Sequence, residues 1–229
     1  MVVGAAINGL AILIGGGIGL LLKGKASDGV SQGILKALGI CIVIIGIRGA
    51  LGGDVMLIVV SIALGALAGE LAGIDGHLQT FGLWIQSKFS KDNEKSTFAE
   101  GFVTASLLFC VGAMAVVGSI DSGLRGDHSV VITKSIIDAI TSVILASTLG
   151  AGVLLSAFMV FMYQGTIEFF AGNLQHVLTA SLITEISAVG GVMILGLGAN
   201  MALDAKIKVA NLLPAFVFAV LYYFIAVGS

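Results

Sequence analysis

The chain has 229 residues, 58% of them hydrophobic and only 10% charged, with a formal net charge of -2. Ordinary soluble domains carry roughly a quarter of their residues as charges, so a water-soluble globule is excluded. Nucleic-acid binding is excluded with it, because the few Lys and Arg residues are scattered and form no basic stripe.

What remains is an all-α, polytopic bundle of about eight short transmembrane helices in a lipid bilayer. Spans are predicted over 4–22, 34–52, 55–73, 99–118, 131–148, 151–171, 179–201 and 209–227. Val2 to Leu22 precede Lys23 and Lys25, the reverse of the charge order in a secretory signal, so this first run is expected to stay as a helix. Lys23 and Lys25 follow span one, Lys88, Lys91 and Lys95 follow span three, and Lys206 and Lys208 follow span seven. Positive residues collect on cytoplasmic loops. The alternation therefore puts both termini outside, with Arg125, in the loop Ser119 to Ser129, as the exception. The fifth span carries Lys134 and Asp138; if it is re-entrant, the crossings fall to seven.

Between spans three and four, Leu78, Phe81, Ile85 and Phe89 recur at helical spacing beside Trp84, the pattern of an interfacial helix on the cytoplasmic surface. Lys91 to Thr97 reads as a polar linker between two halves. Sliding the chain by 98 residues aligns Ile34 to Glu70 with Ile132 to Glu168 without a gap, matching Lys36 with Lys134 and Glu70 with Glu168. A shift of one residue, to an offset of 97, pairs Gly4 with Gly101, Leu10 with Leu107 and Gly15 with Gly112. Each copy then holds three spans, and an odd number inverts the second copy in the membrane. The expected organisation is a single membrane domain, 1–229, with repeat one at 1–74, interfacial helix and linker at 75–98, repeat two at 99–172 and a C-terminal helix pair at 173–229. Against this stands the tendency of Gly-rich apolar helices to resemble one another. Thr104-Ala105-Ser106-Leu107 also recurs as Thr179-Ala180-Ser181-Leu182, which relates span seven to span four.

The run Ser106 to Asp127, the KSIID of span five, Tyr163 to Gly165 and the EISAVGG from Glu185 to Gly191 resemble the YqgA/YdfK-type family of uncharacterised bacterial inner-membrane proteins, the domain of unknown function 554. The resemblance covers nearly the whole chain. It implies a bacterial cytoplasmic-membrane location and brings no activity or binding residues with it.

An ionisable group within a span costs a few kcal/mol and usually faces protein or water. Four carboxylates qualify: Glu70 and Glu168 near the ends of spans three and six, Asp138 in span five and Glu185 in span seven. They can bind a cation, relay protons, or pair with Lys36, Arg48 or Lys134 to hold helices together. For Glu70 and Glu168, snorkelling to the interface is the structural alternative; for Asp138 it is an i,i+4 ion pair with Lys134. Glu185 lies among Thr184, Ser187, Gly190 and Gly191 with no nearby cation, which makes it the first choice for a functional acid. Asn8, Ser106, Gln164 and Asn200 either line a pathway or serve as interhelical hydrogen-bond glue.

No enzyme motif is present, neither HExxH, GxSxG nor a nucleotide loop, so no enzymatic activity and no cofactor are expected. Cys41 and Cys110 lie in apolar runs without metal spacing, so no metal site is expected. His77, His128 and His176 fall in predicted loops as solvated residues. Stripes such as Gly65-Ala66-Leu67-Ala68-Gly69 suit close helix packing within the chain or between protomers of a homo-oligomer. The leading functional expectation is a small secondary transporter or facilitator of a small solute or cation, with proton or ion coupling as an option. An oligomeric channel-like pore and a non-transporting membrane scaffold or accessory protein are the alternatives.

Overall fold

The computed structural model describes residues 2–24, 28–77, 80, 84, 97–174 and 177–226. Among them the regular elements are helices and turns: α1 (Val3–Leu22), α2 (Asp28–Ala50), α3 (Val55–Ala72), α4 (Thr97–Cys110), α5 (Ala113–Arg125), α6 (Ser129–Leu149), α7 (Gly152–Phe169), α8 (Ala171–Leu174), α9 (Ala180–Leu203), a 3-10 turn (Val209–Leu212) and α10 (Ala215–Ala226). The interfacial helix expected over 78–89, most of the linker after it, and His176 lie outside the described residues.

The predicted spans recur with differences at spans two, four and eight, the last of which opens as a 3-10 turn before its helix starts at Ala215. Span four is not continuous: α4 and α5 are separated at Val111 and Gly112 and bent by 60°. Gly112 sits at φ +128° and ψ 149°, a conformation essentially restricted to glycine, so the break has a local cause. The stretch from Ser119 to Arg125, expected as loop, is helical and forms the last turns of α5. Span five, by contrast, is an unbroken helix of 21 residues. Its Lys134 and Asp138 neutralise one another one turn apart, so the charges do not interrupt it. α2 begins at Asp28, six residues ahead of its apolar run, because hydropathy marks the hydrocarbon and a helix continues beyond it.

Packing divides the chain into two compact units, Met1–Gly33 with Phe81–Leu178, and Ile34–Thr80 with Thr179–Ser229. In lipid the hydrophobic effect does not drive helices together, and close approach through small residues takes its place. In the first unit, α1 lies against α6 with Gly15 facing the Ala139 carbonyl and Ser142, and Gly19 facing Val143 and Ala146. A methyl group at either glycine would meet helix backbone, so the two helices touch almost directly. α7 packs on the other side of α1, where Gly9 faces Ala157 and Phe161. The tight turn from α6 into α7 depends on Gly150 at φ +83°.

In the second unit the same device joins α2 to α9. Gly39 meets Gly198 and Met201, Gly46 meets Gly191 and Leu195, and Gly49 meets Gly191, each glycine pair a heptad apart on its own helix. Gly65 and Gly69 of α3 receive Ala215 and Asn211 from the final span, around Pro214. A small core of Leu57, Val189, Ala215 and Ala219 fills the remaining space, with Ile58, Ile62 and Phe216 packed on it.

Among the described residues, seven helices are long and apolar enough to cross a membrane, and the α4–α5 pair is the eighth candidate. Helix direction decides its status. In the first unit, Asn8 contacts Asp138 and Ile12 contacts Ser142, so α1 and α6 run parallel. In the second, Asp54 contacts Glu185 and Leu57 packs with Val189, so α3 and α9 run parallel. Two parallel spans require an odd number of crossings between them, and each of these pairs gives an odd number only if α4–α5 crosses. Its contacts agree: Phe98 and Phe102 meet Gly152 at the start of α7, whereas Gly123 meets Glu168 and Ala171 at its end. The bent pair thus follows the whole length of α7, about 27 Å for its 18 residues. Among the described residues this makes α4–α5 the eighth candidate span.

Candidate functional site

The first unit holds a buried polar cluster assembled from three helices. α1 contributes Asn8, α6 contributes Lys134 and Asp138, and α7 contributes Gln164; none is more than 6% exposed. Lys134 and Asp138 are four residues apart on a helix, where side chains meet, and the ammonium contacts Asp138 Oδ2. Asn8 Nδ2 donates to the same oxygen at 3.0 Å and to Gln164 Oε1 at 2.9 Å. These two bonds use both hydrogens of the Asn8 amide. They also fix the orientation of both amides, since turning either would set like atoms against each other. Two polar atoms are left buried with no hydrogen-bond partner: the acceptor Asn8 Oδ1 and the donor Gln164 Nε2. Leaving such groups unfilled costs about 1–3 kcal/mol each.

The break in span four adjoins this cluster. α4 and α5 both pack against α6 and α7, the helices that carry Lys134, Asp138 and Gln164. Ser106, one turn before the end of α4, has a buried hydroxyl with no partner. At the break Gly112 and the next residues leave the α4 ladder, while Val111 N–H closes it on Leu107 and Ala115 N–H turns to Gly112.

Glu168, one turn beyond Gln164 on α7, serves the start of α1. Its carboxylate accepts from Gly4 N–H at 3.0 Å and Ala5 N–H at 2.9 Å, two of the amides that a helix N-terminus leaves open. Val2 provides no side-chain cap there, so a carboxylate 164 residues away does the work of a local capping residue. Glu168 also accepts from the Ser122 hydroxyl, whose oxygen lies 2.7 Å from His128 Nδ1. The Ser122 hydroxyl thus links Glu168 to the His128 ring. His128, expected as a solvated loop residue, is partly buried and linked to the helix bundle.

The other candidates lie elsewhere. Glu185 is partly buried in the second unit, and its Oε2 accepts from Asp54 N–H at 2.9 Å. Asp54 in turn caps α3 by accepting from Leu57 N–H at 2.9 Å, so Glu185 secures the α2–α3 turn. Glu70 is exposed and pairs with Lys208 at 3.1 Å. Asn200 donates to Ile207 C=O and accepts from Ile207 N–H, both at 2.7 Å, clamping the bend after α9. Lys36 and Arg48 are exposed on α2 and have no carboxylate within ion-pair distance among the described residues. The residues matched by the 98-residue offset therefore sit in unlike surroundings: Lys134 and Glu168 are buried, Lys36 and Glu70 exposed. Cys41 and Cys110 are free thiols, and no group of three metal-ligating side chains occurs among the described residues.

A family model described as "Protein of unknown function (DUF554)" matches residues 3–224. The chain belongs to this family. It is 34% identical over 93% of its length to an uncharacterised membrane protein, YdfK, of Bacillus subtilis, covering 91% of that protein. It is 29% identical over 96% of its length to an uncharacterised protein, YqgA, of Escherichia coli, covering 95% of it. No solved structure matches the chain. With the apolar helices, these relatives make it a multi-pass, membrane-embedded helical protein.

Asn8, Asp138 and Gln164 were each conspicuous in the sequence as polar groups in apolar runs, and the structure brings the three together. Ser122 and His128 carried no such signal. They belong to a stretch rich in polar residues, where a hydrogen-bonded pair looks no different from a solvated one.

Proposed function

We propose that this protein is a secondary transporter or facilitator that moves a small solute or cation across the bacterial cytoplasmic membrane. The observation that carries the reading is the cluster of Asn8, Lys134, Asp138 and Gln164, a buried ion pair joined to two amides with unfilled valences. Purely structural glue would close those valences, because an unfilled group in a membrane interior has no water to fall back on. The neighbouring break at Gly112 supports the same reading: transporter sites near mid-membrane are commonly built where a span is interrupted. The four side chains are buried, none more than 6% exposed, so a transported molecule would enter by movement of the surrounding helices, and the bent α4–α5 pair is the element we assign to it.

Placement in the inner membrane with both termini outside, the inverted three-plus-three repeat, and coupling to protons or ions belong to the same proposal. The lysine pattern supports the first and the 98-residue self-match the second. The test is solute flux in proteoliposomes holding the purified protein, across a panel of ions and small polar solutes. Flux above protein-free vesicles that falls about tenfold or more in Asp138→Asn is expected, the equivalent of losing one charge-assisted interaction. No flux for any member of the panel would overturn the proposal.

A further inference from the structure

The open valences of the cluster define a ligand more closely than "small solute or cation". Asn8 and Gln164 hold one of the two hydrogen bonds that a pair of facing primary amides can make, from Asn8 Nδ2 to Gln164 Oε1. The second, from Gln164 Nε2 to Asn8 Oδ1, is not made, and both atoms are buried and unpartnered. Each atom is left with an open valence, and what fills the two must accept from Gln164 Nε2 and donate to Asn8 Oδ1. A primary amide or urea carries the two functions on neighbouring atoms, and a hydroxyl or water carries both on one.

Charge narrows the choice further. Lys134 and Asp138 neutralise each other beside the gap, so the cluster has no net charge. A bare cation there is matched by the Asn8 oxygen but mismatched with the Gln164 N–H, and a bare anion the reverse, so either ion leaves one open group opposed to it. A neutral molecule with one donor and one acceptor meets only complementary atoms.

We infer that the buried cluster of Asn8, Gln164, Lys134 and Asp138 takes an uncharged amide-type solute, of which urea and acetamide are the simplest, in preference to an inorganic ion. This rests on the transport reading and specifies its substrate class.

The experiment follows urea and acetamide entry into proteoliposomes of the full-length chain by stopped-flow light scattering, with sodium, potassium and chloride flux and osmotic water flux measured on the same vesicles. Urea or acetamide permeability above that of protein-free vesicles, without matching ion flux, is expected. Gln164→Glu keeps the oxygen that Asn8 contacts and turns the open donor into an acceptor; Gln164→Met removes the donor altogether. Each should lower amide flux about fivefold or more, the worth of one ligand hydrogen bond. The wild-type selectivity stands as a result even if neither variant folds. Ion flux without amide flux overturns the inference and leaves the transporter reading intact. Water flux alone overturns the inference, showing that the gap holds only water. No flux of any kind overturns both.

Discussion

Breaking the Lys134–Asp138 pair provides the sharpest test of the buried cluster. Both side chains are only 8% exposed, and Asp138 Oδ2 takes the Lys134 ammonium together with the Asn8 amide. Lys134→Met leaves the carboxylate inside the bundle with the Asn8 donor alone, and removal of one partner from a buried pair costs about 3–5 kcal/mol. Asp138→Leu leaves the ammonium equally stranded and costs about as much. Replacing both removes the desolvation penalty along with the attraction. What is then lost is one partner of Asn8 Nδ2, about 1 kcal/mol or less in a membrane protein. If the two sites were independent the double variant would be worse than either single, at about 6–10 kcal/mol. The expected outcome is a double variant more stable than both singles. Unfolding of the purified proteins in mixed detergent micelles, run as a double-mutant cycle, measures this directly. Additive losses, or single losses under about 1 kcal/mol, would refute the buried, mutually compensating pair.

Gly15→Ala should destabilise the bundle by about 1–3 kcal/mol, because the new methyl would lie 2.9 Å from the Ala139 carbonyl carbon on a neighbouring helix. Gly17→Ala, on the same helix with nothing within 4 Å, should be neutral or stabilise by less than about 1 kcal/mol; thermal unfolding in detergent compares them. Glu168→Gln removes the charge that receives three donors and should cost about 1.5–3 kcal/mol. Glu185→Gln, which touches one backbone amide and keeps an oxygen for it, should cost under about 1 kcal/mol by the same assay. In a background with Cys41 and Cys110 replaced by alanine, single cysteines at positions 97 and 127 mark the two ends of the α4–α5 pair. Impermeant thiol reagents should reach them from opposite faces of the membrane, and labelling from one face would show that the pair does not cross.

Much of the fold was legible because apolar run length is set by the thickness of the bilayer, a constraint that acts on each span by itself. The spans over 4–22, 55–73 and 179–201 recur within two residues as α1, α3 and α9. The break at Gly112 was not legible. The apolar composition of Phe102 to Val117 continues through it, and only the backbone angles of one glycine among 33 mark the place. The site was legible in part for the same reason. Asn8, Asp138 and Gln164 stand out singly against apolar neighbours, but their meeting depends on helix direction and rotation.

The sequence by itself determined that this is an all-helical, membrane-embedded chain and which polar groups the membrane makes expensive. The tertiary structure alone decided which of those groups share a site. Glu185, the foremost acid in the sequence, holds a turn, whereas Asp138, which reads as half of a local ion pair, anchors the cluster that joins three helices. The physical reason is that insertion cost depends on a residue's own chemistry, while the partners that repay it are chosen by glycine-mediated contacts between helices far apart in the chain.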